Sequence, residues 1–228
     1  MGKTIANLIK GEPDMEITAA CDLGDAIEPA MERCDVAIDF SAADAIDEIC
    51  RAALVYGRPL VIGTTGHSAI QRQLIEKAAQ SLAVVLASNF SVGVNTLFSL
   101  TRKAAQLLGP EFDVEIIEMH HSMKKDAPSG TAKTLATIVQ ETRKSAKLRY
   151  GREGDLGKRD PAEIGIHSIR GGDVVGDHTI VFAGPGERVE LTHRAASRDT
   201  FARGALRAAR WILGKPARLY SMQDVLAL

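Results

Sequence analysis

The chain is poor in the features that mark exported, membrane-bound and nucleic-acid-binding proteins. It has three cysteines, Cys21, Cys34 and Cys50, with no CxxC spacing, which excludes a disulfide framework and predicts reduced thiols in a cytoplasmic protein. No apolar run reaches the roughly 18 residues that cross a bilayer, and the opening MGKTIANLIKGEPDM lacks the apolar core of a signal peptide. Lys and Arg total 28 against 29 Asp and Glu, a formal net charge of −1. Such a balance gives no general attraction to nucleic acid or anionic lipid, so any cationic function has to come from local clustering. What remains is a chain of 228 residues, 45% hydrophobic and 25% charged, long enough for one large globular domain or two small ones.

The first ninety or so residues alternate helical and strand patterns. TIANLIK ends a helix, with Lys10 and Gly11 at its C-terminus and Pro13 beyond. MEITAACD, DVAIDFS, PLVIGTT and AVVLASNF read as strands, and AIDEICRAALVYG and AIQRQLIEKAAQSL as helices. This order, with apolar runs at Leu60 to Ile62 and Val84 to Leu86, predicts a doubly wound α/β fold whose parallel strands are buried on both faces. Ligands collect beyond the carboxyl ends of such strands. Those ends read CD, DFS, GTTG and SNFS. Asp22 stands where a nucleotide-binding sheet places its ribose acid, and Gly63, Thr64, Thr65 and Gly66 form a turn whose backbone can approach a nicotinamide or ribose. A solvated strand end and an ordinary tight turn are the competing readings. The phosphate loop G-x-x-G-x-x-G is missing, and Gly2 precedes Asp22 by about 20 residues, the usual distance from glycine motif to ribose acid. The chain therefore reads as starting at the last glycine of that motif, without its first strand.

From about Val92 the pattern changes. VGVNTLFSLTRKAAQLLG predicts a helix closed by Gly109 and Pro110, DVEIIEMHH an alternating strand, and SGTAKTLATIVQETRKSA a second helix with Ser129 as N-cap. Between strand and helix lies EMHHSMKKDAPSGTA. The N–H groups of Gly130 and Thr131 at a helix start make an anion site, and His120, His121, Lys124 and Lys125 supply charge around it, a combination suited to a small carboxylate-bearing molecule. Taken singly, each of these side chains reads as solvated; their clustering is what points to a site. YGREGDLGKRDPAEIG reads as an exposed loop. The following GIHSIRGGDVVGDHTIVFAGPGERVELTHRA reads as three strands in a mixed sheet with DVEIIEM, with hairpin signals at Gly171 to Asp173 and at AGPGER. His167, His178 and His193 fall on these strands and read as sheet or interface residues, not metal ligands. RDTFARGALRAARWILGK predicts an amphipathic helix and YSMQDVL a last short element.

These stretches carry a family resemblance. EMHHSMKKDAPSGTA is similar to the E-x-H-H-x-x-K-x-D-x-P-S-G-T-A signature of the 4-hydroxy-tetrahydrodipicolinate (dihydrodipicolinate) reductases, and VIGTTG, NFSVGVN, GDVVGDHT, ERVELTHRA and SRDTFARGALRAARWI resemble that family in the same order over nearly the whole chain. The resemblance implies hydride transfer from NADH or NADPH to a cyclic dicarboxylate imine in diaminopimelate and lysine biosynthesis. It implies a Rossmann-like dinucleotide-binding domain at 1–91, completed by 196–228, and an α+β substrate-binding and tetramerisation domain at 92–195. By position in the motif it makes His120 the acid/base, Lys124 the companion proton donor, and His121, Ser129, Gly130 and Thr131 the substrate contacts. Gly63, Thr64, Thr65, Ala87, Ser88, Asn89 and Phe90 become cofactor contacts, with Phe40 and Ser41 near the same pocket and Gly2 and Asp22 on the nucleotide side.

Several further expectations follow from the resemblance. Family members often follow the ribose acid with an Arg that holds a 2′-phosphate; Leu23 stands here instead, so NADH is expected over NADPH. A homotetramer is expected through the strands between Ile164 and His193, with a small-molecule partner and neither nucleic acid nor membrane. Two departures from the family concern the first domain: the absent strand with its glycine loop, and a shortened connection between Asp22 and Asp35. The first motivates a rival reading, a non-catalytic dicarboxylate-binding protein that has lost the cofactor site. A metal-dependent hydrolase using His120 and His121 is a poorer rival, because adjacent strand residues point to opposite faces.

Overall fold

A computed structural model describes residues 1–228. The chain opens with α1 (Gly2–Ile9) and α2 (Glu28–Arg33), then alternates β1 (Ala37–Asp39), α3 (Ile46–Tyr56), β2 (Leu60–Ile62), α4 (Ala69–Ala78) and β3 (Ala83–Leu86). Next come α5 (Val92–Leu108), β4 (Asp113–His120), α6 (Gly130–Thr142), β5 (Lys147–Tyr150), β6 (Glu163–Arg170), β7 (Gly176–Gly184) and β8 (Glu187–Ala195). The last elements are α7 (Asp199–Ile212), β9 (Arg218–Tyr220) and α8 (Met222–Leu226). They form two compact units, Met1–Val92 with Asp199–Leu228, and Gly93–Arg198.

The first unit is built on four parallel strands in the order β1-β2-β3-β9. Parallel neighbours need crossovers, and α3 and α4 supply those between β1, β2 and β3. Gly57 stops α3 at φ +64, a left-handed conformation that a Cβ disfavours. Ser68 starts α4 with a capping box, its Oγ accepting from Gln71 N at 3.3 Å while Gln71 Oε1 accepts from Ser68 N at 2.8 Å. Alternation along the strands sends Leu60, Ile62 and Val84 into one core with Ile46, Ile49 and Ile75. Val61 and Val85 enter a second core with Ala202, Ala205, Leu206 and Ile212 of α7. At the crowded approach of α7, a Cβ on Gly204 would lie 1.8 Å from the Phe90 carbonyl oxygen, so only glycine fits.

The second unit carries a mixed sheet in the order β5-β6-β4-β7-β8, parallel from β5 to β4 and antiparallel from β4 to β8. Leu97 and Phe98 of α5 and Leu135 and Val139 of α6 pack on Val114, Ile116, Ile164, Ile180 and Phe182. The period of two along β4 buries Val114, Ile116, Glu118 and His120 on one face, so the alternation that builds the core also carries two ionisable groups inward. The class is α/β, with a helix-covered parallel sheet and a mixed sheet, as the sequence predicts.

Two local expectations need correction, and one strand is new. Residues 15–22 form no strand despite the alternation of Met15, Ile17 and Ala19. A strand depends on its neighbour's hydrogen bonds, and the outermost strand, β1, pairs only with β2, leaving Ile17 42% exposed. The chain just before it is held by Arg210 of α7, which donates to the Asp14 carboxylate at 2.6 and 2.7 Å and to Glu12 at 2.6 Å. The expected hairpin at Gly171 to Asp173 is likewise absent, because β4 lies between β6 and β7. This segment crosses the end of β4: Gly171 N donates to His120 O, His121 N to Val174 O and Ser122 N to Gly172 O. By contrast, AGPGER does join paired strands, with Gly184 opposite Glu187. Finally, β5 forms an edge strand that its polar sequence KLRY concealed.

Candidate active site

The end of β4 is a buried polar cluster centred on Glu118. Its fully buried carboxylate accepts from both terminal nitrogens of Arg170 at 2.8 Å, from Ser129 N at 3.2 Å and from His120 Nδ1 at 2.5 Å. Burial by itself raises this carboxyl; Arg170, His120 and the Ser168 hydroxyl outweigh it and hold the pKa at about 2. An ionised Glu118 has no proton to give, so the proton of the short contact resides on His120 Nδ1. Strand register creates the cluster: His120 is aligned with Arg170 across β4 and β6, and Glu118 with His178 across β4 and β7.

A second buried ring lies beside the first. His178 Nε2 is 2.9 Å from Ser129 Oγ, which also caps α6 by accepting from Ala132 N at 3.2 Å. Burial, seconded by the neighbouring His120, pushes the His178 pKa down to about 3, so this ring is neutral, and its Nδ1 has no partner. The rings of His120 and His178 meet edge to face, centroids 5.0 Å apart. Burial also lowers the His120 pKa; Glu118 opposes the shift, while Lys124 and Arg170 add to it.

Beyond β4 the chain turns, with Lys124 N donating to His121 O at 3.1 Å and Lys124 Nζ to Asp126 Oδ1 at 2.8 Å. Gly130 and Thr131 form the first turn of α6, the end of a helix whose N–H groups and dipole favour an anion. Half-buried His121 and Lys124 and exposed Lys125 complete the loop.

In the first unit the ends of the parallel strands hold less self-contained groups. Asp39 Oδ1 accepts from Ser41 N at 2.9 Å and Ser41 Oγ at 2.6 Å, whereas Asp39 Oδ2 and Thr64 Oγ1 are buried without partners. The Phe40 ring lies so close over Gly63 that a Cβ there would be 2.2 Å from it, and it meets Phe90 at a centroid distance of 5.5 Å. Ala87 N donates to Ile62 O at 3.1 Å and Ser91 N to Asn89 Oδ1 at 2.9 Å; Thr65 and Ser88 are exposed. Gly2 is exposed at the start of α1. Asp22 stands in an exposed turn on no strand, its Oδ1 accepting from Leu23 N at 2.8 Å.

Two family descriptions match the sequence, “Dihydrodipicolinate reductase, N-terminus” over residues 1–90 and “Dihydrodipicolinate reductase, C-terminus” over residues 93–226. The chain belongs to the dihydrodipicolinate reductase family. It is 52% identical over 231 aligned positions to a 4-hydroxy-tetrahydrodipicolinate reductase of Akkermansia muciniphila, covering 100% of this chain and 94% of that one. A reductase of the same description from Anaeromyxobacter dehalogenans is 48% identical, covering 100% and 84%. Among solved structures, the dipicolinate-bound dihydrodipicolinate reductase from Paenisporosarcina sp. TG-14 is similar with a TM-score of 0.76 and 26% identity, covering 98% of this chain and 94% of that one.

Membership of the reductase family implies a nicotinamide cofactor, and the strand ends of the first unit fit one. Phe40 forbids a side chain at Gly63, which leaves backbone as the surface there, and the buried Thr64 hydroxyl next to it lacks a partner. Of the residues named by the reductase motif, His120 and Ser129 enter the buried cluster and Gly130 and Thr131 stand at its helix, while Lys124 is paired with Asp126 in the turn. Glu118, Arg170, His178 and Gly176 join the site although the sequence reading assigned them no role. Glu118 was within reach of it, since a residue two before His120 on an alternating strand shares its face. Gly176 and His178 lie in GDVVGDHT, a stretch the resemblance covers without giving either residue a role, and Arg170 has no local signal.

Proposed function

We propose that this chain reduces 4-hydroxy-tetrahydrodipicolinate to tetrahydrodipicolinate with a nicotinamide nucleotide. The observation that carries the reading is a buried His120, its proton side held by Glu118, beside a helix start suited to carboxylates. The nucleotide, when bound, supplies hydride. Gly63, Thr64, Thr65 and Ala87 to Phe90, with Phe40, Ser41, Gly2 and Asp22, are the groups that hold it. Ser129, Gly130, Thr131 and His121 receive the substrate carboxylates. Hydride addition to the conjugated imine leaves an electron-rich carbon that must take up a proton, and His120 and Lys124 are the groups that handle it. The conjugated imine forms when the substrate loses its 4-hydroxyl as water, so each turnover consumes one hydride and one proton and releases one water, and the donor regains its proton from solvent.

Asp22 repels a 2′-phosphate and the fully exposed Leu23 offers it no cation, which favours NADH over NADPH. The outward face of the mixed sheet supports a homotetramer: it exposes Ile117 (37%) and Ile169 (45%) on the side opposite the helices. Three cysteines without disulfides support a cytoplasmic setting, and no helix is long and apolar enough to cross a membrane.

Oxidation of NADH and NADPH by the full chain, with and without enzymatically generated substrate, tests the reading. Substrate-dependent turnover with the lower KM for NADH is expected. Its absence with both nucleotides would overturn the function, and a lower KM for NADPH the preference alone. Sedimentation at micromolar concentration is expected to give a tetramer, and a monomer would remove that part.

A further inference from the structure

We propose that Glu118, clamped by the two-pronged contact from Arg170, is the positioning residue of this site, holding His120 with its Nδ1 proton turned inward and leaving Nε2, beside Gly176, as the atom that exchanges a proton. The inference rests on the reductase reading and adds the device that orients its proton carrier.

The clamp is over-determined. Arg170 spans both Glu118 oxygens at 2.8 Å and is itself anchored to the carbonyls of Ile169 and Asp126 at 2.7 Å. Ser129 N fixes Oε1 at 3.2 Å, and the 2.5 Å contact from Oε2 then leaves His120 one orientation in which the ionised carboxylate is satisfied. A carboxylate needed only to neutralise Arg170 would not require a third partner on the ring.

The other side of the ring has the opposite character. A Cβ on Gly176 would lie 3.0 Å from His120 Nε2, 3.3 Å from Cδ2 and 3.6 Å from His178 Cε1. Gly176 is absent from the residues with left-handed backbone, so the space it leaves, and not its flexibility, is what this position requires. The groups facing His120 are Glu118 on its own strand, Arg170 on β6, His178 on β7 and Lys124 in the turn. Glu118 is the anion among them, so it sustains the imidazolium formed during proton exchange, as the orienting carboxylate of a catalytic triad does for its histidine.

Nitrogen-15 NMR of histidine-labelled full-length protein, with His120 assigned by the loss of its signals in His120→Gln, reads the tautomer directly. At a pH where the ring is neutral, an Nδ1–H form is expected, and an Nε2–H form would overturn the proposal whatever the activity. The first result in a chain that shows no reductase turnover would overturn the functional reading alone. Glu118→Gln keeps an oxygen acceptor but removes the charge: kcat is expected to drop about tenfold or more at near-constant KM. The His120 limb of the pH profile is expected to move to lower pH, because the anion that favours the charged ring is gone. An unmoved limb with unchanged kcat per folded molecule would reduce Glu118 to a structural partner of Arg170. Gly176→Ala is expected to lower kcat/KM about tenfold while the tautomer stays as it was, and unchanged kinetics would remove Nε2 from the role assigned to it.

Discussion

Both units place polar groups at the carboxyl ends of strands, yet they satisfy them in opposite ways. In the second unit both oxygens of Glu118 are taken by Arg170, Ser129 and His120, so the carboxylate that orients the ring is fully satisfied, and the atoms left without partners are His178 Nδ1 and Arg170 Nε at its margin. In the first, Asp39 Oδ2 and Thr64 Oγ1 are buried without partners, and Gly63 presents bare backbone under Phe40. Proton chemistry needs a group whose orientation is settled before substrate arrives, whereas a nucleotide-binding edge needs donors and acceptors left for the nucleotide. The contrast also bears on the reading of this protein as a dicarboxylate binder without catalysis, which the family relationship does not favour.

The largest expected effect separates the two functions. His120→Gln should lower kcat about 100-fold or more while NADH binding, measured by calorimetry, stays within about twofold. Loss of both together would show that the division of labour is wrong.

Acid is expected to act selectively on the second unit. His178 has a folded pKa of about 3, below its unfolded value, so the unfolded chain binds the extra proton between those values. The stabilising contribution is therefore complete above about pH 6.5 and is lost as pH falls, at about 1.4 kcal/mol per pH unit. Between pH 6.5 and 5 that amounts to roughly 2 kcal/mol. Glu118, held near 2, adds to the loss below about pH 4.5. Protection factors of the β4 and β7 amides, taken against the intrinsic exchange rate at each pH, should fall over this range before those of β2 and β3, and His178→Gln should flatten the first part of the curve. An equal fall in both sheets would remove His178 as the cause.

Gly63→Ala should weaken NADH binding about tenfold, since Phe40 has to leave its place over the strand end. Dipicolinate binding to the same variant should not change, and a parallel loss would break the comparison. Thr64→Val is the smallest probe. Deleting an unpartnered buried hydroxyl should leave stability unchanged or raise it by up to about 1 kcal/mol in urea unfolding, while NADH affinity falls by about threefold.

Legibility in the sequence followed the range of the forces involved. The helix starts at Ser68 and Ser129 and the stop at Gly57 are local, set by side chains within one turn; Ser129 caps α6 as the sequence placed it, and α4 begins at Ala69, the first residue of the stretch read as a helix. Residues 15–22 misled because alternation signals a face to bury but not the neighbour a strand requires. Of residues 150–165, read as an exposed loop, 151–162 are exposed over most of their length, whereas Tyr150 ends β5 and Glu163 to Gly165 begin β6 with Ile164 and Gly165 buried; Arg152 and Arg159 also reach back to Glu115 of β4 at 2.8 and 3.0 Å, a link no nearby residue announces.

The same limit divides the site. The sequence by itself determined that β4 alternates, that it ends at a histidine pair, and that a helix with a Ser-Gly-Thr start follows, because side-chain period and capping chemistry act within a few residues. Only the tertiary structure decided that Arg170 lies alongside His120 and His178 alongside Glu118, since those partners come from strands set in register on either side of β4, 50 and 60 residues along the chain. A slip of one residue in either pairing would turn Arg170 or His178 to the opposite face of the sheet, so the packing that selects the register of the core strands also assembles the cluster.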